Sequence, residues 1–201
     1  MRYTGPTTRI NRRFKEALFP ITKGYERKLY FPGMHGARLK RRVTDYSQSL
    51  NEKQKMCYLF GLSENQLRLV FKRAKQIHGI TGEILLRLLE TRLDNVVYSM
   101  GFAKTRRAAR QMVSHGHIRV NGAKVNRPSY TCMQGESIMV SEKTSARRLA
   151  MRALEETQGR NCPSWITVEG NQLKGMINRL PMPEEMVNNV NVQLIVEYYN
   201  H

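Results

Sequence analysis

The chain has 201 residues with 34 Lys and Arg against 16 Asp and Glu, a formal net charge of +18. Its hydrophobic content of 40% suffices for one domain or two small ones with real cores, and excludes a disordered polycation. No apolar run approaches the roughly twenty residues of a membrane span.

The opening Met1-Arg2-Tyr3-Thr4-Gly5-Pro6 has neither an apolar secretion signal nor a Ser-rich leader, so a protein resident where it is made is expected. Residues 1–130 hold 27 Lys and Arg against 8 Asp and Glu, whereas 131–201 hold 7 against 8. Arginine supplies 22 of the basic residues. A self-repelling surface of this kind calls for a polyanion, and the planar guanidinium fork suits phosphate and base edges. Cys57, Cys132 and Cys162 show neither metal-knuckle nor disulfide spacing. His115 and His117 flank a glycine but have no thiol or carboxylate near them in sequence. No metal and no cofactor are expected.

Residues 1–45 read as an extended basic N-terminal arm, broken by Pro6, Pro20 and Pro32, that orders on RNA. Its last cluster is Arg38, Lys40, Arg41 and Arg42. Residues 46–91 read as a helical domain. Ser63 and Gln66 form a capping-box pattern. Leu67, Val70, Phe71, Ala74 and Ile77 then recur at helical spacing. Lys72 and Arg73 lie off that stripe, either as a solvated face or as phosphate contacts. Thr81 is expected to cap the next helix, with Ile84, Leu85, Leu88 and Leu89 as its core stripe.

From residue 92 to about 155 the pattern is a small module. Thr105 caps a helix from Arg106 whose wheel gathers Arg106, Arg107, Arg110, Gln111 and Ser114 on one arc. Ala108, Ala109, Met112 and Val113 fill the other. His117-Ile118-Arg119-Val120 alternates like a half-buried strand, Asn121-Gly122 is a hairpin turn, and Lys124 starts the return. The chemistry expected is a phosphate clamp made by the arginine face with His117, Arg119 and Lys124. Removing Arg106, Arg107 and Arg110 should weaken RNA binding at little cost in stability. Residues 156–201 add a hairpin about Gly170-Asn171 and a C-terminal segment, both expected to pack back on the helical domain.

Two runs are specific. Gly79 to Tyr98, followed by Ser99-Met100 and then Gly101 to Gly122, resembles the bacterial-type small-subunit ribosomal protein S-four family. The second run is similar to the RNA-binding module named after it. Arg2 to Pro6, Pro32-Gly33-Met34-His35-Gly36-Ala37-Arg38 and Leu194-Ile195-Val196-Glu197 resemble further elements of the same family, in the same order. The resemblance implies an α+β protein: a helical domain with an inserted RNA-binding module of basic helices on a short antiparallel sheet, preceded by the arm. It implies binding of 16S rRNA at a multi-helix junction of the 5′ domain, early subunit assembly, contribution to translational accuracy, and a place beside ribosomal protein S-five on the path of incoming mRNA. The expected location is the cytoplasmic small ribosomal subunit, or a plastid ribosome if the gene is organellar. No membrane and no small-molecule substrate are expected.

The candidate rRNA contacts are Arg2, Tyr3, Arg9, Arg12, Arg13 and His35 in the arm, then Lys53, Lys55, Lys72 and Arg73. In the module they are Thr105, Arg106, Arg107, Arg110, Gln111, His115, His117, Arg119, Asn121 and Lys124. For Arg38, Lys40, Arg41 and Arg42, rRNA contact and the mRNA path both remain open. Tyr3, Phe14 and Tyr30 either stack on exposed bases or pack on protein. Many family members carry four arm cysteines that bind zinc. Here Thr8 and Asn11 stand at the first two matching positions and residues 1–56 contain no cysteine. Met34, Ser99 and Arg127 also depart from the family pattern. An enzyme that borrows the same module, such as a pseudouridine synthase, needs a catalytic domain, and the chain offers neither a Gly-rich phosphate loop nor an acid–base cluster. Glu90 and Asp94 read as ion-pair residues. Regulatory binding to mRNA, including its own message, is compatible with the ribosomal role.

Overall fold

The computed structural model describes residues 3–38, 44–186 and 189–200. They form two compact units, Met1–Arg73 with Asn188–His201, and Ala74–Val187.

The first unit begins with α1 (Thr7–Phe14) and α2 (Lys23–Arg27). The arm is thus basic but folds on itself between residues 3 and 38. It does so through polar ties, which apolar periodicity cannot reveal. The Asn11 amide donates to the Phe19 carbonyl at 2.9 Å and accepts from the Phe19 N–H at 3.0 Å. The Thr8 and Thr22 hydroxyls meet at 3.0 Å. Arg12 donates to the carbonyls of Tyr30 and Phe31 at 3.0 and 3.1 Å.

Helix α3 (Asp45–Phe60) starts at a Thr44 capping box and stops at Gly61, whose φ of +64° suits glycine. In α4 (Glu64–Gln76) the Ser63–Gln66 box forms as the sequence predicts. Leu67, Phe71 and Ala74 of its stripe are buried, whereas Ile77 lies beyond the last turn and is exposed.

The second unit opens with α5 (Thr81–Glu90) and α6 (Leu93–Ser99). Ile80, not Thr81, occupies the N-cap of α5, and no side chain caps it. The helix therefore starts one residue earlier than its polar residue suggests. Ile84, Leu85 and Leu89 are buried as the stripe requires. After α6 come α7 (Arg106–Ser114), β1 (Ile118–Val120), β2 (Ala123–Lys124), β3 (Ser137–Val140), α8 (Thr144–Glu156), β4 (Ile166–Glu169) and β5 (Lys174–Ile177). The β1–β2 turn has positive φ at both Asn121 (49°) and Gly122 (82°), the conformation that Asn-Gly favours.

The strands make one antiparallel sheet in the order β2-β1-β3-β5-β4. The 166–177 hairpin was expected to return to the helical domain. It pairs instead with β3, Ser137 opposite Met176 and Met139 opposite Lys174. An unpaired edge on β3 would leave a row of backbone donors and acceptors without partners, and β5 supplies them. Trp165, Ile166, Leu173 and Ile177 join Val96, Phe102, Val113, Ile118 and Ile138 in one core.

The last helix, α9 (Val192–Asn200), returns to the first unit and packs along α3. Ile195 is fully buried there, and the Tyr199 ring lies 4.8 Å from that of Phe71. Among the described residues, no helix is long and apolar enough to cross a membrane.

Candidate nucleic-acid interface

The candidate interface of the second unit is built on α7. The Thr105 hydroxyl accepts the Ala108 N–H at 3.2 Å and so fixes the start of the helix. Ala109, Met112 and Val113 face the core, which turns Arg107, Gln111, Ser114 and His115 outward to solvent.

Arg106 and Arg110 are partly buried. Arg106 Nε donates to Asn95 Oδ1 at 2.8 Å, and Asn95 in turn donates to Glu90 Oε2 at 2.5 Å. The Arg106 guanidinium also lies 4.4 Å from the Tyr98 ring centroid, with Arg160 at 4.2 Å from the same ring. Burial lowers Arg106 from the usual arginine range, while Tyr98, Glu90 and Asp94 hold its proton in place. Arg110 approaches Asp94 at 3.7 Å. Asp94 is itself buried in a two-pronged pair with Arg92, at 3.0 and 2.9 Å. Asp94 thus forms the ion pairs its sequence reading predicts, with Arg92 and Arg110, whereas Glu90 accepts from Asn95, which in turn accepts from Arg106. The expectation that the whole arginine arc is removable without structural cost is corrected for Arg106 and Arg110.

At the far end of α7 the chain turns at Gly116, with φ +69°. A Cβ there would strike the Lys124 stem, so the glycine lets Lys124 lie across the turn. Arg119 pairs in register with Lys124 on the β1–β2 ribbon, and both are exposed. His115 and His117 stand 6.0 Å apart. Burial, then His115, Lys143 and Lys124, hold His117 below the ordinary histidine value. Its Nδ1 is buried without a hydrogen-bond partner.

Lys143 is a cation that the linear pattern did not single out. It is brought to this cluster because the Ser141 N–H donates to the His117 carbonyl at 2.8 Å, joining the end of β3 to the start of β1. Asn121 Oδ1 accepts the Ser137 N–H at 2.9 Å, so one side of its amide ties the β1–β2 turn to β3.

The candidate contacts of the first unit divide more sharply. Arg9, His35 and Arg38 are exposed, as are Lys72 and Arg73 on α4. Arg13 donates to Asn51 and Gln54 on α3, at 3.2 and 2.5 Å. Lys53 and Lys55, placed among the RNA contacts by sequence, are buried at 6% and 4% exposure. Lys53 pairs with Glu64 at 2.8 Å and lies 4.4 Å from the Tyr198 ring centroid. Burial alone would lower Lys53, but Glu64 and Tyr198 outweigh it and raise it. Lys55 pairs with Glu16 at 2.6 Å and also donates to the Asn189 carbonyl. Both charges are answered inside the protein by partners remote in sequence. Arg2, Lys40, Arg41 and Arg42 lie outside the described residues.

Among the described residues, no three His, Cys, Asp or Glu side chains converge to hold a metal ion. Burial pushes the Cys57 thiol up to about 12 and Cys132 higher still, so both are poor nucleophiles at neutral pH.

A helix that turns Arg107, Gln111 and His115 to solvent, set on a small antiparallel sheet with a cationic hairpin at its end, has the surface chemistry of a nucleic-acid-binding module. Residues 91–138 match the S4 domain, and residues 2–90 match the family described as Ribosomal protein S4/S9 N-terminal domain. The chain is 52% identical over 199 residues to the small ribosomal subunit protein uS4 of Opitutus terrae, covering 99% of this chain and 98% of that one. It is 48% identical to that of Akkermansia muciniphila over 200 residues, again covering 99% and 98%. With that of Thermus thermophilus it shares 43% identity over 208 residues, 99% of each chain. This chain belongs to the uS4 family of ribosomal proteins. It is accordingly a structural ribosomal protein and not an enzyme.

Proposed function

We propose that this chain binds 16S rRNA as a structural component of the small ribosomal subunit. In this reading it clamps a multi-helix junction of the 5′ domain and nucleates assembly. The observation that carries it is the outward face of α7 continued by Arg119, Lys124 and Lys143, all exposed, with Lys124 and Lys143 near enough to the partly desolvated His117 to help hold it below the ordinary histidine value. Such an array holds phosphates of a folded RNA in a fixed spatial pattern without reading sequence. The same reading places the chain in cytoplasmic small subunits, against ribosomal protein S-five and other subunit proteins. The cluster Arg38, Lys40, Arg41 and Arg42 would face incoming mRNA and bear on translational accuracy, a role that membership in the family supports.

The test is the salt dependence of binding to a small-subunit rRNA transcript. In the Arg107→Gln, Arg119→Gln, Lys124→Gln variant the log–log slope should fall by roughly one unit for each phosphate no longer neutralised. Native circular dichroism should accompany the change. A slope equal to that of the wild type would place the RNA on another surface.

A further inference from the structure

We propose that a groove in the first unit is a receptor for a single unpaired RNA nucleotide, with its base against Tyr3, Phe31 and Tyr58 and its phosphate at Arg9. This rests on the RNA-binding reading above and adds to it a base-stacking subsite. The groove has a volume of about 380 Å³ and is lined by those four residues with Ile10, Arg13 and Pro32. That is at the small end of the roughly 300–1,000 Å³ of ligand pockets. Three aromatic rings and two guanidinium groups line it, and none of the described residues that line it carries a carboxylate. A nucleotide of the RNA already inferred to bind this chain offers both a flat π face and an anion. An acidic peptide would satisfy the arginines but leave the rings without a partner.

The walls are fixed before any ligand arrives. Tyr58, on α3, meets Tyr3 edge-on at 5.3 Å and Phe14 at 6.0 Å. The Tyr3 hydroxyl donates to the Pro6 carbonyl at 3.2 Å. The Phe31 carbonyl accepts from Arg12 at 3.1 Å, and a Cβ on the buried Gly36 would collide with that carbonyl. These contacts fix the Phe31 backbone, and the Lys15 ammonium, 5.0 Å from the ring centroid, braces the Phe31 ring from one face. Arg13 is committed to Asn51 and Gln54, which makes it a fixed positive wall. Arg9 is exposed, and no described residue takes a hydrogen bond or ion pair from its guanidinium. Rings immobilised in this way lose little freedom when a base stacks on them.

The experiment measures affinity of the full chain for a small-subunit rRNA transcript as a function of salt. Phe31→Leu and Tyr58→Leu should each weaken binding about tenfold or more with an unchanged salt slope, because stacking releases no counterion. Tyr58→Phe should bind like the wild type, and Arg9→Gln should lower the slope by roughly one unit. Ultraviolet crosslinking of the wild-type complex should attach a nucleotide to a peptide containing Tyr3, Phe31 or Tyr58. This arm needs no variant and so survives any folding defect. Leu variants that fold and bind as tightly as wild type, or crosslinks confined to other peptides, overturn the receptor while leaving the RNA-binding reading intact. Failure of the wild-type chain to bind the transcript overturns both.

Discussion

Asp94 is a single carboxylate that holds two arginines, Arg92 and Arg110. It accepts two bonds from the buried Arg92 and one from the Asn95 N–H, and lies 3.7 Å from Arg110. Asp94→Ala leaves the Arg92 guanidinium buried and unpaired, which costs about 3–5 kcal/mol. Denaturant unfolding should record that loss, whereas the exposed Arg119→Ala should stay within about 0.5 kcal/mol of wild type. His117 gives the pH counterpart. Its folded value lies below the ordinary histidine value, through burial and then His115, Lys143 and Lys124. The unfolded chain therefore takes up its proton first. The contribution to stability is intact above about pH 6.5 and declines as pH falls from there through the lower folded value. A phosphate beside the cluster favours the protonated ring, so rRNA binding should tighten as pH falls from 7.5 to 6. In His117→Gln the titration of affinity should be flatter. A wild-type affinity independent of pH would remove phosphate from this ring.

Helix α7 is stabilised at its start by one hydroxyl, and its loss should affect both folding and binding. Thr105→Ala removes the bond to the Ala108 N–H, at about 1 kcal/mol, and frays the turn that carries Arg106 and Arg107. Thermal melts should show the loss, and Thr105→Ser should restore both stability and rRNA affinity. This cap was legible in the sequence, as were the Ser63–Gln66 box and the Asn121–Gly122 turn, because each is decided within about four residues. Partners remote along the chain were not legible. The pairing of β5 with β3 depends on an unfilled backbone edge, which side-chain patterns do not encode. Lys53 and Lys55 look like solvated cations until Glu64, Glu16 and the α9 segment are placed beside them. Lys143 joins the cluster about His117 through a backbone bond between strand ends. The family runs identified the module where local rules stopped, since they carry the outcome of such long-range pairings.

At the scale of the whole chain the charge is less one-sided than a cut after Tyr130 suggests. Met1–Arg73 with Asn188–His201 holds 17 Lys and Arg against 6 Asp and Glu, and Ala74–Val187 holds 17 against 10. Both units are net positive, so neither is a neutral scaffold, and each is destabilised by its own field in the absence of a counter-charge. A polyanion that binds only the folded chain stabilises it in proportion to the logarithm of its concentration over Kd, about 2.7 kcal/mol at a hundredfold excess. The rRNA transcript should accordingly raise the melting temperature at low salt. If six to ten phosphates are bound, affinity falls by about 10³–10⁵ between 50 and 200 mM salt, and the stabilisation should shrink with it. Differential scanning calorimetry with and without rRNA, across that range, measures both quantities. A thermal shift that persists undiminished at 200 mM salt would mean that stacking and shape, rather than the basic surface, carry the binding free energy.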